Sequence, residues 1–339
     1  MKAAVLTKFG KAEEAFEIRE VEMPTIKSNE VLIKVEGFGL NFADIMARQG
    51  NYQDCPPLPA ILGYDVVGEV VETGKDVSNV KKGDRVTSMT RFGGYAEYAV
   101  TDYRACAKIA NDYPLGKATA LTTQYCTADY CFNQMMNLFE GDKVLIHAAA
   151  GGVGTALVQM AANRGCEIFA TAGSEEKMEY LKNMGVQHPI NYRKNDFDVE
   201  VAKILGDEKL DAIFDPIGGS NAKKGYKLLA SGGRILLFGA SSMTGTSIFG
   251  KIGVGLGFGF YHPVQFMLKS QAMIGVNMLR IADNRPFTLK RSLDNVVRDV
   301  EKGILNPTVA KIFSINQLAE AHNYLESRKS IGKVSVSWN

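Results

Sequence analysis

Up to about residue 110, apolar positions come in short runs: MKAAVL, FEIREVEM, EVLIKVEGFGL, DVVGEVVETG, DRVTSM and YAEYAV. Gly, Pro and Asn punctuate them, and the spacing predicts short strands of a barrel or sandwich. The PPLP segment at Pro56–Pro59 excludes helix interior and central strand there. From about residue 115 the period lengthens. KATALTTQYCTADYCFNQMM carries apolar residues at helical spacing. Strands and helices then alternate. KVLIHAA precedes a helix from Gly152 to Arg164, and EIFATAG a helix from Ser174 to Met184. HPINY precedes a helix near Phe197–Leu205, and LDAIFDPIG a helix near Ala222–Leu229, before GRILLFG. The cores VLI, IFA, AIF and ILLF are apolar at successive positions, as strands covered on both faces must be. The alternation predicts a doubly wound parallel sheet.

After Gly239 the pattern breaks into SSMTGTSIFGKIGVGLGFGFYHP, Gly/Ser-rich and then apolar. QAMIGVNML reads as another strand. The tail reads as a helix (KRSLDNVVRDVEKG), a strand (AKIFSI), a helix from Asn316, and a closing strand (GKVSVSW). No repeat is visible.

The chain has 339 residues, enough for about two domains. With 39 Lys and Arg against 37 Asp and Glu the net charge is +2, which argues against a broad nucleic-acid footprint. Cys55, Cys106, Cys126, Cys131 and Cys166 are odd in number and form no CxxC or Cys/His cluster. They read as reduced thiols, and the N-terminus lacks the long apolar core of a signal peptide, so a cytoplasmic location is expected. Val144–Asn163 is uncharged but holds a glycine turn at its middle; it reads as strand, turn and helix, and no integral membrane segment is expected.

That turn carries the strongest chemistry. KVLIHAAAGGVGTALVQMA places Ala149, Gly151 and Gly154 in the spacing of the dinucleotide fingerprint, with Ala in the first glycine position. Gly151 lets the backbone approach a diphosphate, and Gly154 lets the helix sit close to the strand. The helix N-terminus, through Gly152 and Val153, faces the phosphates. The next strand ends Ala172-Gly173-Ser174 with no acid at its tip, and Lys177 follows one turn on. A carboxylate there would hold a ribose 2′-hydroxyl; donors and a cation suit a 2′-phosphate. Gly173, Ser174 and Lys177 are therefore expected to bind NADPH. Glu175 and Glu176 count against this and are read as first-turn helix acids.

GLNFADIMARQGNY, GYDVVGEVVETGKDVSNVKKGDRV, FGGYAEY, AAAGGVG, NYR, GGRILLFG and the closing GKV together resemble the medium-chain dehydrogenase/reductase superfamily. The resemblance runs almost end to end and falls in the zinc-independent quinone oxidoreductase branch; YHPVQFMLKSQAMIGVNML looks most like its vesicle-amine-transport-like reductases. It implies an α/β fold: a GroES-like β-rich catalytic domain over 1–125 and 280–339, and a Rossmann NADP-binding domain over 126–279. It also implies NADPH in the cleft between them, and a homodimer joined through an edge strand, here Gln271–Met278. Where zinc-dependent relatives place a Cys and a His-Glu pair, this chain has Asn41 and Tyr64-Asp65, so action without metal is expected. Without a Lewis acid, an easily reduced acceptor is expected: a quinone or an activated α,β-unsaturated carbonyl.

By motif match, Asn41 and Tyr52 resemble polar groups lining the catalytic cleft. Thr127 resembles a nicotinamide-side contact and Tyr192 a residue near the adenine ribose phosphate. Phe238, Gly239, Val276 and Met278 resemble backbone partners of the cofactor, and Lys333 a second 2′-phosphate contact. Each has a plainer alternative: Asn41 as a helix cap, Tyr52 as loop packing, Lys333 as a solvated side chain. Asp44 is read as supporting the fold. Ile252–Phe260 reads as a cleft-edge or interface loop, with surface association as the alternative. The competing functions are an enoyl-thioester reductase and an NADPH-binding scaffold or transport-associated factor without turnover.

Overall fold

The computed structural model describes residues 1–243 and 248–338. Residues 244–247 of the Gly/Ser-rich stretch lie outside the described residues. The strands, in chain order, are β1 (Lys2–Leu6), β2 (Phe16–Glu20), β3 (Glu30–Leu40), β4 (Ala60–Ile61), β5 (Asp65–Thr73), β6 (Arg85–Met89), β7 (Tyr98–Asp102) and β8 (Cys106–Lys108). They continue with β9 (Lys143–Ile146), β10 (Glu167–Ala172), β11 (His188–Asn191), β12 (Leu210–Asp215), β13 (Leu229–Leu237) and β14 (Ala272–Gly275). The last two are β15 (Val309–Ser314) and β16 (Lys333–Ser337).

The chain divides into two compact units, Met1–Thr127 with Met278–Asn339, and Ala128–Asn277. The first holds a small sheet, β2-β1-β4, and a larger one, β15-β16-β3-β5-β6-β8, with β7 also on β3. The long β3 sits at its centre. Val31, Ile33, Phe38 and Leu40 are fully buried, and the register slips between Val35 and Gly37, where the strand bends. The C-terminal β16 lies antiparallel to β3, pairing Val334 with Leu40 and Val336 with Phe38. Distant sequence therefore completes this core.

The helical stretch before β9 is less regular than its spacing predicts. Wide π-type turns over Leu121–Tyr125 and Tyr130–Met135 flank a short helix, Cys126–Asp129. The first wide turn brings the Thr122 hydroxyl and the Thr123 amide onto a buried carboxylate, described below, and such bulges commonly mark functional positions.

The second unit is a six-stranded parallel sheet in the order β11-β10-β9-β12-β13-β14. Leu145, Phe169, Ile213 and Ile235 are fully buried at its centre. Burying one such side chain contributes roughly 1.5–3 kcal/mol. The last strand is shorter than Gln271–Met278. The Val276 amide still donates to the Leu237 carbonyl at 2.9 Å, after which the chain leaves the sheet and Met278 opens a helix, Met278–Asn284, in the first unit.

Candidate cofactor and catalytic residues

In the second unit the strand order reverses between β9 and β12, so their carboxyl ends form the switch point of a doubly wound sheet. The chain leaving β9 is held on both sides: the His147 amide donates to the Phe214 carbonyl, and the Ala149 amide to the Thr171 carbonyl, each at 3.0 Å. Ala148 then adopts φ +50°, a left-handed conformation, and the turn closes from the Gly151 amide to the Ala148 carbonyl at 2.9 Å. The helix Gly152–Arg164 follows. Its first internal bond runs from Thr155 to Gly151 at 2.8 Å, so the amides of Gly152, Val153 and Gly154 precede it. Those amides and the helix dipole suit a diphosphate. A Cβ on Gly154 would stand 2.4 Å from the Ala148 carbonyl oxygen and 2.6 Å from Ala149 Cα, so only glycine fits. At Gly151 the nearest atom would be 3.2 Å away. Ala149 is fully buried beneath the turn. These residues fit a dinucleotide.

The end of β10 carries a second set of groups. Ser174 caps the helix Glu175–Asn183, accepting from the Lys177 amide at 3.3 Å. A Cβ on Gly173 would meet Tyr192 Oη at 2.6 Å and Arg193 Nε at 3.3 Å. A phenol and a guanidinium thus lie over Gly173. Arg193 escaped the sequence reading, although it ends the NYR motif; its neighbourhood is set by β11 pairing with β10. The Glu175 carboxylate is engaged by Lys194 Nζ at 2.9 Å and Asn191 Nδ2 at 2.7 Å, which hold it below the ordinary glutamate range. Farther along the same sheet edge, the Phe238 amide donates to the Asp215 carbonyl at 3.1 Å, and a Cβ on Gly239 would stand 2.7 Å from the Pro216 carbonyl. Ala149–Gly154, Gly173, Ser174, Phe238, Gly239 and Val276 are thus gathered at carboxyl ends of parallel strands. Met278 belongs to the other unit, as the buried first residue of a helix.

In the first unit, Asn41 precedes the helix Phe42–Arg48, and its amide donates to Asp44 Oδ2 at 2.7 Å. Its side chain faces inward. Asn41 Nδ2 donates to Asp65 Oδ2 at 2.6 Å, and Asn41 Oδ1 accepts from Lys333 Nζ at 3.1 Å. Lys333 Nζ also reaches Asp65 Oδ2 at 2.5 Å. Asp65 Oδ1 accepts from Thr122 Oγ1 at 2.5 Å and from the Thr123 amide at 2.7 Å. Both charged side chains of the pair have no exposed surface. Lys333 therefore corrects the expectation of a 2′-phosphate contact: its ammonium is consumed by a buried carboxylate. The space it fills exists because residue 39 is glycine; a Cβ there would stand 2.2 Å from Lys333 Cε.

Thr127 is buried, its hydroxyl donating to the Thr123 carbonyl at 2.5 Å. Tyr52 is half-buried with its ring edge-on to Tyr64, centroids 6.4 Å apart. Burial raises the pKa of both phenols, so they stay protonated donors at neutral pH. Burial, with the Asp65 charge adding to it, raises Asp44 to about 7, against the pull of the Asn41 amide. His322 meets Tyr95 Oη at 3.2 Å; burial and the Arg48 charge push it down to about 3. Among the described residues no group of three or more His, Cys, Asp or Glu is placed to hold a metal.

A doubly wound sheet with this glycine turn, in a chain that also carries a GroES-like unit, defines a dinucleotide-dependent oxidoreductase. The comparisons with known proteins agree. Residues 27–111 match the alcohol dehydrogenase GroES-like domain, and residues 152–291 match the zinc-binding dehydrogenase family. Quinone oxidoreductase-like protein 2 of Bos taurus is 32% identical over 321 residues, covering 94% of this chain and 88% of that protein. The synaptic vesicle membrane protein VAT-1 homolog of Rattus norvegicus is 32% identical over 339 residues, covering 98% and 83%. The solved Escherichia coli quinone oxidoreductase, complexed with NADPH, superposes with TM-score 0.86 over 99% of this chain and all of that one; at 24% identity the likeness is one of fold. The chain belongs to the medium-chain dehydrogenase/reductase superfamily, in its quinone oxidoreductase branch. It is an oxidoreductase built for a nicotinamide cofactor.

Proposed function

We propose that the chain reduces quinones or activated α,β-unsaturated carbonyls with NADPH and without metal, as a cytoplasmic homodimer. The observation that carries the cofactor choice is the end of β10. Tyr192 Oη and Arg193 Nε lie over Gly173, Ser174 caps the next helix and Lys177 follows one turn on, and this supports the reading that no carboxylate awaits a ribose 2′-hydroxyl there. Donors and cations there suit a 2′-phosphate. The amides of Gly152, Val153 and Gly154 would hold the diphosphate, and the backbone around Phe238, Gly239 and Val276 would line the nicotinamide side.

A bound reduced nicotinamide supplies the hydride. Conjugation in the acceptor spreads the developing negative charge, so no strong Lewis acid is required. Tyr52 is the donor assigned to the nascent oxyanion, since burial keeps its phenol protonated. Asn41 is held rigid at both ends of its amide by Asp65 and Lys333, leaving one N–H to aim. The product oxyanion is weakly basic, and water suffices to protonate it. The main catalytic contribution is positioning. Edge strand β14, paired on one side by β13, is the proposed dimer seam, and the five cysteines, none of them in a disulfide, suit a reducing compartment.

Steady-state NADPH oxidation with a panel of ortho- and para-quinones and enones tests the reading. Turnover with conjugated acceptors and none with simple ketones is expected. Tight NADPH binding without turnover refutes it in favour of a scaffold.

A further inference from the structure

The first unit holds a buried hydroxyl that its packing leaves unused. Tyr64, immediately before β5, is almost fully buried, yet its Oη has no partner in bonding geometry. A buried phenol ordinarily finds one, because a polar group left alone in the interior costs its full desolvation. An exception of this kind needs a reason.

Looseness is not the reason, because the residue is fixed along its backbone and at its ring. Its carbonyl accepts from the Thr90 amide at 2.7 Å, and the Gly63 carbonyl accepts from Thr90 Oγ1 at 2.9 Å. Gly63 has φ +101°, and a Cβ there would stand 2.5 Å from Tyr95 Cδ1. The Tyr64 ring lies 5.0 Å from that of Phe92, centre to centre, at 49°. Phe92 has φ +66°, a left-handed conformation that is costly for a bulky side chain. The Gly93 amide donates to the Ile61 carbonyl and the Tyr95 amide to the Leu62 carbonyl, each at 2.9 Å, and these bonds hold the segment. Backbone strain held in this way collects at working sites.

The neighbours of the hydroxyl show what it can do. The second aromatic beside Tyr64 is Tyr52, edge-on at 74°. Burial raises the Tyr52 phenol, and the Tyr64 hydroxyl pulls it back down, as a donor to its oxygen does. Burial and then the Asp44 charge keep Tyr64 itself protonated. Asp44 acts on it by charge, its own Oδ2 being taken by the Asn41 amide. Tyr52 keeps accessible surface whereas Tyr64 Oη has essentially none, so Tyr64 can act on a ligand only through a neighbour. Hydrogen bonds in series polarise one another, so a phenol that accepts one donates a stronger one. Such bonds are often long before a ligand arrives and tighten with it.

We propose that Tyr64 is the positioning residue of Tyr52: its hydroxyl donates to Tyr52 Oη when the acceptor binds, fixing that phenol and strengthening the hydrogen bond it gives to the developing oxyanion. The inference rests on the assignment of Tyr52 as that donor, and it adds no proton-transfer step.

A double-mutant cycle of Tyr52→Phe and Tyr64→Phe in the full chain, read by NADPH oxidation with an enone, tests this. Tyr64→Phe keeps the ring and loses only the hydroxyl. It should lower kcat about tenfold, with KM and NADPH affinity unchanged. Tyr52→Phe should lower kcat about 10²-fold, and the double variant no further, because Tyr64 then has nothing to act on. The melting temperature of Tyr64→Phe should equal or exceed that of the parent, since the lost hydroxyl leaves no partner behind. Unchanged kcat in Tyr64→Phe overturns the proposal. So do losses that multiply in the double variant, or a kinetic loss accompanied by a fall in melting temperature. Spectroscopic titration of 4-nitrophenolate onto the NADP⁺-bound chain runs the same cycle without turnover. Tyr64→Phe should weaken its binding about tenfold, and not at all when Tyr52 is already Phe. A parent that binds the anion in this pattern but reduces no acceptor keeps the role of Tyr64 and loses the hydride reading. Turnover with multiplying losses does the reverse, and a parent that neither turns over nor binds the anion overturns both.

Discussion

Replacing Lys333 by Met separates two roles for this lysine sharply. Its ammonium is fully buried, 2.5 Å from Asp65 Oδ2 and 3.1 Å from Asn41 Oδ1. Met preserves most of the side-chain volume, so the cavity contribution is small. What is lost is the charge partner. Breaking a buried ion pair from one side typically costs about 3–5 kcal/mol, because a buried charge is left uncompensated. Asp65 retains donors from Asn41, Thr122 and Thr123, which places the expected loss near the lower end, about 3 kcal/mol. At roughly 2–4 °C per kcal/mol, the melting temperature should fall by roughly 6–12 °C. Asp65→Asn in the same chain removes the stranded charge and should recover most of that loss. Calorimetry of the single and double variants measures this, alongside a fluorescence titration of NADPH. Unchanged stability in Lys333→Met, together with a roughly tenfold weaker NADPH affinity, would refute the buried-pair assignment and restore the phosphate contact.

Three further outcomes follow from the same geometry. Lys177→Ala and Arg193→Ala should each weaken NADPH by roughly tenfold and spare NADH, since a charge-assisted hydrogen bond contributes about 1.5–3 kcal/mol; equal loss of both cofactors in parallel titrations removes the 2′-phosphate assignment. Gly154→Ala sets a Cβ 2.4 Å from a backbone oxygen, so binding of both cofactors should fall with a stability loss of about 1–3 kcal/mol; a variant with unaltered affinity and melting temperature contradicts the close packing. Asp44 titrates near 7 in the fold against about 3.9 unfolded. Folding therefore favours its protonated form, and this contribution is fully present below pH about 4 and lost as pH rises through about 7. Asp44→Asn should make urea stability less dependent on pH across that window; equal slopes in variant and parent reject the burial effect.

How much of this was legible beforehand depended on sequence distance. The glycine turn was readable because strand, turn and helix are consecutive and each leaves its own pattern within KVLIHAAAGGVGTALVQMA. The parallel sheet was readable because strands covered on both faces are apolar at every position. Lys333 was not. Its partner Asp65 lies 268 residues away, and the gap it fills depends on Gly39 in a strand paired only after folding. Arg193 was missed for a similar reason: it reaches Gly173 from the neighbouring strand, and single-sequence periodicity says nothing about which strands become neighbours. The wide turn at Leu121–Tyr125 kept helical spacing in the sequence, because the demand that widens it comes from the Asp65 carboxylate, remote in the chain.

The central claim, hydride transfer to a conjugated acceptor, is tested most directly by isotope. NADPH deuterated at the transferable position of C4 is incubated with the chain and an α,β-unsaturated ketone, and the product is analysed by mass spectrometry. The account predicts one deuterium on the β-carbon of the saturated ketone. Reduced product without deuterium, deuterium at the carbonyl carbon of an allylic alcohol, or bound NADPH with no product would each contradict it.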